Sequence, residues 1–138
     1  MQKLFFKRTS TTPEINFSPD EKLFLITGTS SPEDVRALYY PVIEWLKNFI
    51  DDIIAEKYKV FSGIVPVRLQ IDLSYFNSSS AKFLFDILTE FKRLASVSVP
   101  VIVEWFYDIE DTDMKDAGAD IALLVGMEFT FIPNSKQD

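Results

Sequence analysis

A single α/β domain, built on a mixed β-sheet with helices mainly on one face, is the fold this 138-residue chain predicts. Three observations point to it. Strand-like and helix-like hydrophobic periodicities alternate along the chain. The first two strand signals are separated only by a turn, which makes an antiparallel pair, whereas later strands are separated by helices, which makes parallel ones. The strand after Pro66 alternates strictly between apolar and polar residues, so one of its faces stays partly wet and the helices belong on the other.

Ile15 and Phe17 alternate with polar neighbours, and Ser18-Pro19-Asp20-Glu21 supplies turn chemistry before a second strand, Lys22 to Thr27. Ser30-Ser31-Pro32-Glu33-Asp34 carries helix-start signals: a serine N-cap, proline in the first helical position and two acids in the first turn. Val35, Leu38, Val42, Trp45, Leu46, Phe49, Ile50 and Ile53 then recur at steps of three and four, one apolar helical stripe. Pro41 falls inside it and is expected to kink the helix or split off its first turns, because it lacks an amide and crowds the carbonyl of Ala37.

Val67, Leu69, Ile71 and Leu73 form the inward face of the next strand. A second helix begins after Ser74-Tyr75-Phe76-Asn77, with Leu84, Ile87, Leu88, Phe91, Leu94 and Ala95 on its apolar side. Val101 to Tyr107 is another strand; a short helix follows the acidic stretch 108–113 and is expected to end at Gly118. Ile121 to Val125 fits helix or strand, and Phe129 to Ile132 reads as a last strand. The expected order is β-β-α-β-α-β-α-β over residues 1–133, with a frayed polar tail at 134–138.

The composition excludes several chemistries. The chain has no Cys and no His, so disulfides, thiol nucleophiles, imidazole bases and thiolate or imidazole metal sites are out. Its 21 acidic against 14 basic residues give a formal charge of −7, which repels a phosphate backbone, so no nucleic-acid partner is expected. The apolar run near the start is too short for a signal peptide, and no 18 apolar residues run together. A soluble cytoplasmic domain without membrane insertion is the expectation. No P-loop, dinucleotide fingerprint, nucleophile elbow or zincin helix occurs.

Chemistry in such a fold belongs at the C-terminal ends of parallel strands, where two segments fall. In the first, Tyr75-Phe76-Asn77-Ser78-Ser79-Ser80-Ala81-Lys82, four short polar residues stand where a helix starts. One suffices as an N-cap. The remainder fit either plain capping or a helix start that holds a phosphate, bound or covalent, against its free amides and positive dipole end. Ser79 and Lys82 also match the S-x-x-K of penicillin-binding enzymes, which would make the chain a small serine hydrolase; the S-D-N and K-T-G elements that accompany it are missing. The second segment holds Asp108, Glu110, Asp111 and Asp113, either Mg²⁺ or Ca²⁺ ligands or a solvated loop whose acids favour the next helix start. Trp45 and Trp105 sit on apolar periodic positions and read as core. Tyr39-Tyr40 beside Pro41 fits a partner surface or a buried helix end.

Taken together, these segments resemble the SiaC-like family of bacterial regulatory phosphoproteins. The likeness spans Thr12 to Ile132 and rests on five blocks in order: Thr12-Pro13-Glu14-Ile15-Asn16-Phe17; Gly28 with Ser31-Pro32-Glu33-Asp34; Tyr40-Pro41 with Trp45-Leu46; Tyr75 to Lys82; and Trp105-Phe106-Tyr107-Asp108 with Asp111-Thr112-Asp113-Met114 and Gly118. The resemblance implies a fold of the anti-sigma-factor-antagonist (STAS) type and a non-enzymatic role in partner switching. A protein kinase phosphorylates such a protein and a PP2C-type phosphatase reverses it. The unmodified form binds and activates a target such as a diguanylate cyclase making cyclic di-GMP. The family's acceptor, usually threonine in an Asn-Thr-Ser-Ser segment, falls on Ser78, with Ser79 the alternative. The expected surface around it comprises Tyr75, Asn77, Ser79, Ser80, Lys82, Asp108, Asp111 and Asp113, with no cofactor. A constitutive adaptor whose serines only cap is the rival within the same class.

Overall fold

A computed structural model of the chain describes residues 2–55 and 65–135. The elements run β1 (Leu4–Phe6), β2 (Glu14–Ser18), β3 (Leu23–Ser30), α1 (Val35–Ile54), β4 (Val67–Phe76), α2 (Ser78–Lys92), a 3₁₀ turn (Arg93–Val97), β5 (Val101–Asp108), α3 (Thr112–Val125) and β6 (Phe129–Asn134). All six strands join one sheet in sequential order, β1 to β3 antiparallel and β3 to β6 parallel. Three crossovers that each step one strand in the same direction, with the usual right hand, bring their helices to one face. Accordingly α1 packs on α2 and α2 on α3. The mixed sheet expected from the sequence is the one observed.

The core lies between this sheet face and the helices. Ile15, Phe17, Phe24, Ile26, Leu69, Ile71, Leu73, Val103 and Trp105 point into it from the strands. Val42, Leu46, Phe49 and Ile50 of α1 and Leu84, Ile87, Leu88 and Phe91 of α2 meet them. On the opposite sheet face Glu104 binds Arg68 at 3.0 Å and Gln70 at 3.2 Å, the polar side of the alternation.

Several boundaries differ from the sequence expectation, each for a local reason. β1 is an additional edge strand, three residues long and therefore without a readable period. The β2–β3 loop is Pro19 to Lys22, one residue later than expected, because Lys22 takes the left-handed φ of 55° that closes the turn. The serine cap of α1 is corrected: Asp34 caps it, accepting from the Ala37 amide at 3.1 Å, and Ser30 ends β3. Pro32 holds the preceding residue extended and so delays the helix rather than starting it. Pro41 does not split α1, which runs unbroken through it.

Gly118 is also corrected. It lies inside α3, not at its end, because a side chain there would meet Trp105: a Cβ would stand 2.5 Å from the indole Nε1. Gly126, with φ 73°, ends the helix, and Ile121 to Val125 is helical. Ala95, expected on the apolar side of α2, is exposed in the 3₁₀ turn. Asn134, the first residue of the expected polar tail, closes β6 opposite Asp108; positions 136–138 lie outside the described residues. No helix among the described residues is long and apolar enough to cross a membrane.

Candidate functional site

The C-terminal ends of β3, β4 and β5 share one end of the sheet, and a bulge shapes it. Gly28 pairs with Leu73 but Thr29 with Tyr75, so Ser74 is an extra residue in β4. Gly28 supplies the backbone for this with φ 120°, and Ser74 Oγ donates to its carbonyl at 3.1 Å and meets Thr29 Oγ1 at 3.0 Å. An extra residue inverts the side-chain alternation beyond it. Tyr75 therefore turns outward, 54% exposed, while Phe76 turns inward and meets the Trp105 ring edge-on at 6.0 Å.

Directly after the bulge, the four first amides of α2 have separate fates. The Asn77 amide donates to Ser30 O at 3.0 Å, and the Ser80 amide to Asn77 Oδ1 at 2.9 Å. Those of Ser78 and Ser79 have no intrahelical acceptor by helix geometry. Of the four candidates, Asn77 is thus the cap.

Three consecutive serines occupy three different environments. Ser78 is exposed, and its hydroxyl makes no hydrogen bond among the described residues. Ser79 is exposed too, but its Oγ donates to Asn77 Oδ1 at 3.0 Å. Ser80 is fully buried, which corrects its assignment to the partner surface. Its Oγ donates to Ser30 O at 3.1 Å and stands 2.8 Å from Ser30 Oγ, which also bonds Tyr39 OH at 2.6 Å. Hydroxyls this deep need partners, and here each has one. They stitch the start of α2 to β3 and α1. Burial pushes the Tyr39 phenol above its ordinary range, against the opposing pull of its bonds to Ser30 and Ser80.

Lys82 is exposed, with its ammonium 3.0 Å from Asp86 Oδ2 and 4.7 Å from the Phe83 ring centre. Tyr39 stacks on that ring at 5.3 Å, and Tyr40, 56% exposed, meets it edge-on at 5.8 Å. Of the tyrosine pair, then, Tyr39 is the buried helix end and Tyr40 the surface. This geometry does not assemble an acyl-transfer centre: Ser79 donates to an amide oxygen, and Lys82 is a solvated, ion-paired cation rather than a desolvated base.

The acidic segment starts α3 at the same end of the sheet. Asp111 Oδ1 accepts the Met114 amide at 3.0 Å, Asp108 Oδ1 accepts the Glu110 amide at 2.9 Å, and Asp113 lies exposed in the first turn. No group of three or more carboxylates among the described residues converges as metal ligands would. Trp105 Nε1 donates to Met114 O at 3.0 Å, so β5 holds this helix start from below.

Sequence reading places Ser30 at the start of α1, leaves Tyr39 open between surface and buried helix end, and misses Asp86, although signals for each are present. Phe24, Ile26, Gly28 and Ser30 keep one strand parity, which points Ser30 inward; Tyr39 is three residues before Val42 on the buried stripe; Asp86 is one turn beyond Lys82.

Comparison with known proteins agrees with this fold. The sequence pattern of the SiaC family regulatory phosphoproteins matches residues 6–134. A protein of Pseudomonas aeruginosa strain UCBPP-PA14, itself uncharacterized, is 31% identical over 108 residues, 78% of each chain. The crystal structure of apo-SiaC from Pseudomonas aeruginosa superposes with a TM-score of 0.79 at 25% identity, covering 96% of this chain and 99% of that one. SiaC in the structure of diguanylate cyclase SiaD in complex with its activator SiaC, also from Pseudomonas aeruginosa, gives a TM-score of 0.80 at 24% identity, over 95% of this chain and 99% of that one. With nearly its whole length inside the family pattern, and the same fold, the chain belongs to the SiaC family of regulatory phosphoproteins.

Proposed function

We propose that this chain is a non-enzymatic partner-switching protein of the bacterial cytoplasm whose phosphoacceptor is Ser78. The observation that carries the reading is an imbalance of charge. Helices α1 and α3 are capped by carboxylates, Asp34 and Asp111, whereas α2 is capped by the neutral Asn77 and has no acid in its first turn. The positive end of α2 is left uncompensated, with the amides of residues 78 and 79 open and the Ser78 hydroxyl exposed. A phosphoserine brings a charge of about −1.5 to −2 and three acceptor oxygens to that point. Ser79 is the poorer acceptor because its hydroxyl is engaged by the cap, and Ser80 has no path to a kinase.

In this reading a kinase charges Ser78, a PP2C-type phosphatase discharges it, and the unmodified form activates a target of the diguanylate cyclase class. The output is supported by family membership together with the role of the Pseudomonas aeruginosa SiaC as activator of the diguanylate cyclase SiaD. The fold is read as the STAS type, with the modified hydroxyl at the start of the helix after a central parallel strand. Surrounding it are Tyr75, Asn77 and Lys82, and, from the next strand and helix start, Asp108, Asp111 and Asp113.

Phosphopeptide mapping of the chain purified from its native host tests this. Phosphate at position 78, absent from Ser78→Ala, is the expected result. An unmodified chain under every growth condition would favour the constitutive adaptor, and phosphate confined to Ser79 would move the acceptor.

A further inference from the structure

Lys82 stands between two positions that can carry negative charge. Four residues after it lies Asp86, which holds its ammonium at 3.0 Å; four residues before it lies Ser78. Residues four apart on a helix are neighbours, and an acid placed N-terminal to its base makes the better pair. The existing Lys82–Asp86 pair has the poorer order, base first, and both side chains are solvated, 70% and 36% exposed. A phosphate on Ser78 would form the better order and carry more charge than a carboxylate. Lys82 is long and unbranched, and among the described residues its ammonium rests against Asp86 and the face of Phe83, so it can swing toward Ser78 without disturbing the core.

Asp86 in turn lies on a groove of about 610 Å³ between α1 and α2, with Tyr40 and Phe83 as apolar lining. Lys82 lines it beside Asp86, and α1 adds Glu44, Lys47 and Asp51, the last of these paired with Arg93. While Lys82 is held by Asp86, the α2 rim of the groove is neutral. When Lys82 leaves, that rim becomes acidic.

We propose that Lys82 reads the modification: it exchanges Asp86 for the phosphate on Ser78, and the freed Asp86 changes the charge of the α1–α2 groove. This rests on Ser78 as the acceptor, and it adds how charge at one point reaches a surface more than a full turn away. It makes Lys82 a positioning residue with two partners, not a permanent phosphate ligand.

The test uses the full chain with phosphoserine installed at position 78 during translation, so its result does not depend on whether cells phosphorylate that residue. Phosphorus-31 NMR titration reads the second ionisation of the phosphate, ordinarily near pH 6. Lys82→Met should raise that midpoint by about 0.3 pH unit or more, a roughly twofold or larger change in proton affinity. Lys82→Arg should keep the parent midpoint, and Lys115→Met on α3 should leave it unmoved. Carbon-13 NMR of the same chains reads the other partner: phosphorylation should shift the Asp86 carboxyl carbon when Lys82 is present, and by less in Lys82→Met. Equal phosphate midpoints in the parent and Lys82→Met chains would overturn the exchange, as would an Asp86 signal indifferent to phosphate.

Discussion

Helices α2 and α3 start at the same end of the sheet, each from the end of a parallel strand, and each with a short side chain closing its first turn at 2.9 and 3.0 Å. What lies around those caps differs. The start of α3 carries its own negative charge in Asp111 and Asp113 and is pinned by an aromatic ring, through the Trp105 bond to Met114 O and the close approach at Gly118. The start of α2 carries no charge and is pinned by hydroxyls, Ser80 to Ser30 to Tyr39. A charged cap has already satisfied its helix dipole. A neutral one leaves a rigid, positively biased end where charge added later makes a difference.

The largest effect should come from removing the aromatic pin. Trp105→Ala is expected to lower unfolding free energy by about 3–5 kcal/mol in a urea titration, because a fully buried indole and its hydrogen bond go together. Next is the hydroxyl pin. Ser80→Ala should cost about 1–3 kcal/mol by leaving buried polar partners unmatched, whereas Ser78→Ala, two residues away and exposed, should stay within about 0.5 kcal/mol. Equal costs for the two serines would erase the distinction between them.

A pH test isolates Tyr39. Its phenol titrates above its ordinary value of about 10 in the folded protein, so the unfolded chain loses that proton first as pH rises. The stabilisation is present in full below about pH 10 and is lost as pH climbs from there through the folded value. Tyr39→Phe should therefore show a shallower decline in stability above about pH 10 than the parent chain, measured by thermal melts across that range. The smallest effects come from exchanging caps. Asn77→Asp should stabilise by about 0.3–1 kcal/mol and Asp111→Asn destabilise by a similar amount, both shrinking in high salt.

What the sequence makes legible follows from the range of the signals. Alternation in the Val67 to Leu73 strand and the stripes of α1 and α2 are repeated many times over, so the sheet, the helices and their common face can be read directly. That one of Asn77 to Ser80 caps α2 is readable because capping is a local interaction, although which of the four does so is not. The bulge at Ser74 is not. It depends on which residue of β3 lies opposite, and without it Tyr75 has the parity of Leu73 and should point inward. Gly118 likewise looks like a helix stop until Trp105, distant in sequence, is seen against it. Ser80 reads as surface along with its neighbours, because three identical residues in a row give no sign of which one turns toward Ser30.

The central claim is that charge at Ser78 decides whether the unmodified surface can dock. Isothermal titration of the proposed target, a diguanylate cyclase of the host, with the unmodified chain and with the chain carrying phosphoserine at 78 measures this directly. The account predicts that the phosphorylated chain binds at least about tenfold more weakly, about 1.4 kcal/mol. Equal affinity of the two forms would contradict it.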